Sequence, residues 1–289
     1  MMNKNQEFKL NQILSKVGDT SFRRRVMKIL EYLDIKPGDR ILDCGCGEGF
    51  YTMIIKELYG SECDLISMDM DFELVKKASS WLNDKTEKKF YIADVGKLPF
   101  KNSVFDKIIF SEVLEHVEDD EHVLVEIKRV FKDSGTIAVT VPNHNYPLLW
   151  DPFNKIRESL GLGHFSPDNG FWGGLWAMHL RLYYLQDIIK LIESVGFKVN
   201  DKSMITHYCL PFNHNILYVG KRLGSFMPIP KSLSESMEKF EWKTKQDSVF
   251  YRFIQFCMKI INIIDKKNDK AEKDYNKSSV CIACKVLKQ

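Results

Sequence analysis

The chain has 289 residues, a formal net charge of +3 and 28% charged residues of mixed sign. Such a length can bury a substantial core, as one enlarged domain or as a domain plus a cap, and the near balance of charge leaves no basic footprint of the kind nucleic acid requires. The first residues lack an apolar signal region, no segment reaches the roughly 18 uninterrupted apolar residues of a membrane span, and the seven cysteines, odd in number and scattered, make no disulfide framework, so a cytoplasmic protein is expected; nothing in the sequence fixes its oligomeric state.

Residues 8–33 read as largely helical, with an apolar row through Val26, Leu30 and Leu33 and a basic run, Arg23-Arg24-Arg25, that reads as the solvated face of a helix packed on a sheet. Pro37-Gly38 is a turn. The stretch Ile41 to Thr52, I-L-D-C-G-C-G-E-G-F-Y-T, follows. Its apolar run ending in Asp43 predicts a buried strand, Gly45, Gly47 and Gly49 a turn, and Tyr51 to Tyr59 a helix. Glycine lets the chain reverse sharply and lets a ligand approach its backbone, and the amides that open the next helix offer donors at a positive dipole end. Glycines in such turns also serve packing alone, as Cys44 and Cys46 are read to do. A dinucleotide fold would carry G-x-G-x-x-G, but Phe50 stands at the third glycine position and the glycine comes one place early at Gly49. The spacing D-x-G-x-G-x-G instead resembles motif I of the class I S-adenosylmethionine-dependent methyltransferases.

Down the chain a second strand and helix are expected over Asp64 to Asp69 and Phe72 to Leu82. A carboxylate where the strand ends can accept both hydroxyls of a ribose; Asp69 and Asp71 compete for that place, and the resemblance selects Asp69, with Met70 beside it. A third strand, Lys89 to Ala93, leads into D-V-G-K-L-P-F, where the resemblance implies that Asp94 accepts an adenine amino group and the Val95 amide meets a ring nitrogen. The fourth strand, Phe105 to Phe110, runs into S-E-V-L-E-H-V, which brings Ser111, Glu112 and His116 toward the transferred methyl, because open α/β sheets bind ligands at the carboxyl edges of their strands. Asp-Pro-Pro-Tyr and Asn-Pro-Pro-Tyr are absent, which argues against a DNA amino-methyltransferase. Helix Asp119 to Phe131, strand Thr136 to Val141, helix Leu185 to Val195, the turn and strand 196–199 and a last strand over Ser279 to Leu287 complete the pattern.

The resemblance therefore implies a Rossmann-like, doubly wound, seven-stranded α/β sheet with its last strand antiparallel. Its cofactor would be S-adenosylmethionine, held by Asp43, Gly45, Cys46, Gly47, Gly49, Asp69, Met70, Asp94, Val95, Ser111 and Glu112. The core would comprise 36–142, 183–207 and 278–289, and residues 1–35, with Phe22 and the arginines, would form a helical lid. No metal site is predicted; Cys281 and Cys284 lie in a strand, which sends residues three apart to opposite faces.

Two insertions exceed that core. Residues 143–182 hold three of the five tryptophans and leave the fifth strand at the rim of the site, so they read as a substrate cap, with Tyr146, Trp150 and Trp176 as acceptor contacts; a self-packed cap is the plainer alternative. Residues 208–277 contain 250–264, an amphipathic stretch with a narrow polar stripe of Arg252, Gln255, Lys259 and Asn262, which would pack on the core or contact a membrane surface peripherally. Methyl transfer needs a base only when the nucleophile arrives protonated; His116, His144 and His179 are the candidates. The expected activity is methylation of a small apolar or amphiphilic acceptor such as a quinone precursor, lipid or secondary metabolite. A sugar or glycolipid acceptor, and a non-catalytic cofactor-binding partner protein, are the alternatives.

Overall fold

The computed structural model describes residues 2–15, 17–81, 89–169, 171–216, 256 and 259–289. Most of the stretch 250–264 lies outside them, Arg252 and Gln255 included. The N-terminal region forms two helices, α1 (Lys4–Leu14) and α2 (Thr20–Leu33), rather than one continuous run. The Asp19 side chain accepts the Phe22 amide and starts α2 afresh.

The chain then alternates strand and helix through β1 (Arg40–Cys44), α3 (Phe50–Tyr59), β2 (Asp64–Asp69), α4 (Phe72–Trp81), β3 (Phe90–Ile92), β4 (Phe105–Ser111), α5 (Asp120–Val130) and β5 (Phe131–Pro142). After the cap helix α6 (Pro152–Ser159) come α7 (Leu185–Ser194), β6 (Phe197–Ile205) and β7 (Cys281–Lys288). The seven strands lie in the order β3-β2-β1-β4-β5-β7-β6, parallel up to β5, with β7 antiparallel to both its neighbours. Isoleucine, leucine and cysteine on β1 are buried because helices cover both faces of a parallel sheet.

One face carries α1, α2 and α3, with Val26, Ile29, Leu33, Ile54 and Ile55 at its centre. The other carries α5 and α7, with Leu124, Ile127, Ile188 and Ile192. Cys281 belongs to the first cluster and Cys284 to the second, the opposite-face placement expected of a strand. Helix α2 packs against β5, β7 and β4 and so forms part of the sheet's covering layer. The order of strands reverses at β1, between β2 and β4, and the crevice beyond the carboxyl ends there is the place where such sheets hold ligands.

The solvated reading of the arginine run is corrected. Arg23 and the Arg25 side chain are largely buried, Arg24 is tied to Asp265 at 2.6 Å and to Asp269 at 2.6 Å, and Arg25 is paired with Glu112. The acids that draw these cations inward lie 87 to 245 positions away, beyond any local pattern.

Candidate active site

The turn after β1 is built by three glycines with different duties. All have positive φ, at 78°, 52° and 80°. A Cβ at Gly45 would stand 2.4 Å from Val113 Cγ2, and one at Gly49 would stand 2.7 Å from Ala78 Cβ, so these two are required by packing. At Gly47 a Cβ would meet no atom within 4 Å, so the backbone there faces open space. Asp69, at the end of β2, closes the turn by accepting the Gly47 amide at 2.8 Å, and its other oxygen accepts the Asp71 amide at 3.0 Å. A carboxylate has about four lone-pair sites, so Asp69 is oriented by these bonds and keeps acceptor capacity.

Asp43 is buried and accepts the Thr52 hydroxyl at 2.7 Å; burial, reinforced by the nearby Asp69, pushes its carboxyl up to about 6. It ties strand to helix beneath the turn. Cys46 is buried, and burial pushes its thiol far above the usual range. Met70 is 76% exposed. Asp94, exposed beyond β3, accepts the Gly96 amide at 2.8 Å, and Val95 packs beside the cluster under α5. The residues present fit S-adenosylmethionine: an open backbone at Gly47, a fixed carboxylate ending β2, a second carboxylate after β3 and an exposed methionine between them line one continuous edge.

Past β4, the Ser111 hydroxyl lies 3.1 Å from the Tyr51 hydroxyl and 2.8 Å from that of Thr140. Glu112 takes a left-handed backbone, φ 55°, that a non-glycine residue adopts at a cost of about 1–2 kcal/mol. Burial alone would raise its carboxyl, but the Arg25 guanidinium and His179 outweigh it and hold Glu112 below the usual carboxylate range. Thr140 donates to its Oε1 at 3.1 Å.

The next turn of chain, 114–116, brings together what the sequence pattern separates. Glu115 is fully buried, and neither of its carboxylate oxygens has a hydrogen-bond partner among the described residues. Burial, then the charge of Glu112, pushes Glu115 well above the ordinary range. His116 Nε2 and His179 Nε2 each lie 3.9 Å from Glu115 Oε1, and the two rings meet edge to face at 4.8 Å. Burial, offset in part by Glu112, lowers His179 to about 4, so its ring is neutral near pH 7.

His144, the third histidine candidate, is placed apart from this group by its contacts: its ring stacks on Tyr184 at 4.4 Å and meets Trp176 edge-on at 5.8 Å. Tyr146 and Trp150 are buried in a small cluster with Leu175, Leu182, Cys209 and Val280, which is the self-packed alternative for the cap. Trp176 is half-buried, donating to Glu158 at 2.7 Å under a stacked His164 ring. What the cap turns outward is mostly aliphatic: Leu148, Leu149, Ile156, Leu160, Leu162 and Leu180 are all exposed, with Met178 and, less so, Trp172. Sequence reading missed Glu115 and the inward role of Arg25; the usable signal for Glu115 was an acid between apolar Leu114 and Val117, in a segment expected at the site's rim.

A family model described as a methyltransferase domain matches residues 35–196. An uncharacterized protein of Methanocaldococcus jannaschii is 29% identical over 198 residues, covering 64% of this chain and 74% of that protein. A Thermotoga maritima protein named demethylmenaquinone methyltransferase is 27% identical over 203 residues, 66% of this chain and 82% of its own. Among solved structures, the [4+2]-cyclase SpnF superposes with a TM-score of 0.52 at 14% identity, covering 91% of this chain and 80% of that one; at this identity the likeness concerns the fold.

Proposed function

The chain belongs to the methyltransferase domain family and is an S-adenosylmethionine-dependent methyltransferase, and on that premise we propose that its acceptor is a small apolar or amphiphilic molecule. The sulfonium of S-adenosylmethionine supplies an already activated methyl group. Asp69 would hold the ribose, Asp94 and Val95 the adenine, and the Gly45–Gly49 turn the remainder of the cofactor. The chain's remaining task is to align the acceptor and keep water away. Arg25 neutralises Glu112 at the methyl end of the crevice, and Ser111, bridged to Tyr51 and Thr140, presents a fixed hydroxyl. For an acceptor that arrives protonated, His116 and His179, which lie beside Glu115, are the candidate bases.

The observation that carries the apolar reading is the cap's outward face. Six aliphatic side chains are exposed within one insertion, and such a face suits a water-poor acceptor. The likeness to a protein named demethylmenaquinone methyltransferase supports the same class. Peripheral membrane contact fits it too: Phe256 is exposed, and on the helical residues 259–265 Ile260 and Ile263 are exposed opposite Asp265, which Arg24 ties to the protein. No helix among the described residues is long and apolar enough to cross a membrane. The test is methyl transfer from methyl-labelled S-adenosylmethionine to a demethylated quinone, a fatty-acyl acceptor and a simple sugar. Label entering the organic phase supports the proposal; label on the sugar alone replaces it with a sugar methyltransferase, and no turnover with intact cofactor binding with the non-catalytic alternative.

A further inference from the structure

We propose that Glu115, His116 and His179 form a binding site for a divalent cation of the first transition row. The first observation is the carboxylate. Glu115 is wholly buried, yet both its oxygens lack a hydrogen-bond partner among the described residues, and buried polar groups are ordinarily hydrogen-bonded or bound to metal.

The second observation is independent of it. His116 Nδ1 lies 2.9 Å from the Met178 carbonyl, and His179 Nδ1 lies 2.6 Å from the Leu175 carbonyl. A carbonyl only accepts, so in each ring Nδ1 carries the proton and Nε2 keeps its lone pair. Both lone-pair nitrogens are held 3.9 Å from the same oxygen, Glu115 Oε1. Backbone carbonyls on the far ring nitrogen are the usual device for orienting metal-ligating histidines. The orienting loop is itself held: Met178 has φ 65°, and the Leu180 amide donates to the Glu115 carbonyl at 2.9 Å.

One ligand atom from each residue fits within a span of 4.8 Å. Zinc-like cations keep nitrogen and oxygen about 2.0–2.2 Å away, hence ligand atoms ~3–3.5 Å apart, so closing on a cation narrows the widest gap by about 1.3–1.8 Å, shared between two side chains. Two imidazoles and one carboxylate suit Mn, Fe, Co or Zn, whereas Mg and Ca prefer all-oxygen cages. Glu112 is engaged by Arg25 and Thr140 and is left outside the ligand set. Three protein ligands leave coordination positions open, and the His116 side chain is 41% exposed, so an acceptor hydroxyl or carbonyl could reach the cation and be polarised by it. That role rests on the methyl-transfer reading; the site itself does not.

The full chain, dialysed against EDTA, is titrated calorimetrically with MnCl2, ZnCl2 and MgCl2, and separately with S-adenosylmethionine. One equivalent of Mn2+ and of Zn2+ should bind, with Mg2+ at least tenfold weaker, and His116→Asn and His179→Asn should each weaken Mn2+ binding tenfold or more. Circular dichroism checks that both variants fold, and His116 lies near the surface, where asparagine is tolerated. No saturable Mn2+ or Zn2+ binding, or equal affinity in both variants, overturns the site. Cofactor binding without cation binding sinks the site alone, and cation binding without cofactor binding sinks the methyl-transfer reading alone.

Discussion

Arg25 of α2 is ion-paired with Glu112, the left-handed residue that follows β4, so the N-terminal helix is bolted to the carboxyl edge of the sheet just past β4. The Arg25 side chain retains 13% of its exposure and that of Glu112 25%. Removing one partner of a buried pair strands the other charge, at about 3–5 kcal/mol when burial is complete. Arg25→Ala should therefore cost ~2–4 kcal/mol in urea unfolding, and the double variant Arg25→Met, Glu112→Gln should recover at least half of it. A loss below about 1 kcal/mol in Arg25→Ala would mean that the pair is solvated and does not hold the helix.

The turn glycines separate stability from binding. Gly45→Ala drives a Cβ to 2.4 Å from Val113 Cγ2 at a φ of 78° and should destabilise strongly, by about 3 kcal/mol or more. Gly47→Ala meets no atom within 4 Å and carries only backbone strain of about 1 kcal/mol. Thermal unfolding should thus distinguish the two variants, while calorimetry should show Gly47→Ala weakening S-adenosylmethionine. Unchanged cofactor affinity in Gly47→Ala would show that the open space over the turn is not where the cofactor lies.

The parts of this architecture that local pattern can carry are legible in the sequence. The β1 turn, the carboxylates at 69 and 94 and the alternation of strand and helix each arise from residues within about ten positions, where periodicity and glycine placement act. Pairings across the chain are not legible that way. Arg25 with Glu112, Arg24 with Asp265 and His179 with Glu115 join segments 64 to 241 positions apart. The cap is less legible for a different reason: aromatic residues serve both a pocket wall and a self-packed core, and the pattern alone does not show that Tyr146 and Trp150 join a buried cluster with Leu175, Leu182, Cys209 and Val280. Beta strand limits shifted where tertiary pairing extended them, as in β6, which runs to Ile205 along β7 rather than stopping near 199.

Asp43 predicts a pH signature. Its carboxyl is raised by burial to about 6 from an ordinary 3.8, with Asp69 as the charged group facing it; the thiols of Cys44 and Cys46 beside it are held neutral by burial. A raised folded-state value means that the folded chain holds a proton the unfolded chain has released. The contribution is fully present below pH 3.8 and is lost as pH rises through about 6, a difference of about 3 kcal/mol in all. Asp43→Asn keeps an acceptor for Thr52 without this titration. Unfolding free energies at pH 4, 5, 6 and 7 should show the wild type falling relative to Asp43→Asn up to pH ~6 and running parallel above it. Parallel profiles throughout would mean that water reaches the carboxylate.

The helical residues 259–265 predict attachment to an anionic membrane surface. Successive residues of a helix turn by about 100°, so Ile260 and Ile263 share a face roughly opposite Asp265. That aspartate is fixed to Arg24 and Asn262 to Arg23, which turns the polar side toward the protein and leaves the apolar side out. Lys266, Lys267, Lys270 and Lys277 line an adjoining hollow of about 460 Å³ with Tyr208 and a single acid, Asp274, placing a net positive charge beside the apolar face, the pairing that interfacial helices use on acidic lipids. The protein should co-sediment with phosphatidylcholine vesicles containing phosphatidylglycerol and much less with phosphatidylcholine alone. Each isoleucine buried in the interface is worth about 1.5 kcal/mol or more, so Ile260→Ser with Ile263→Ser should weaken sedimentation by roughly tenfold or more. Equal binding by the double variant would leave the lysines as the whole attraction. No binding by the wild type, together with a lowered melting temperature in the double variant, would mean that the apolar face packs on another part of the chain.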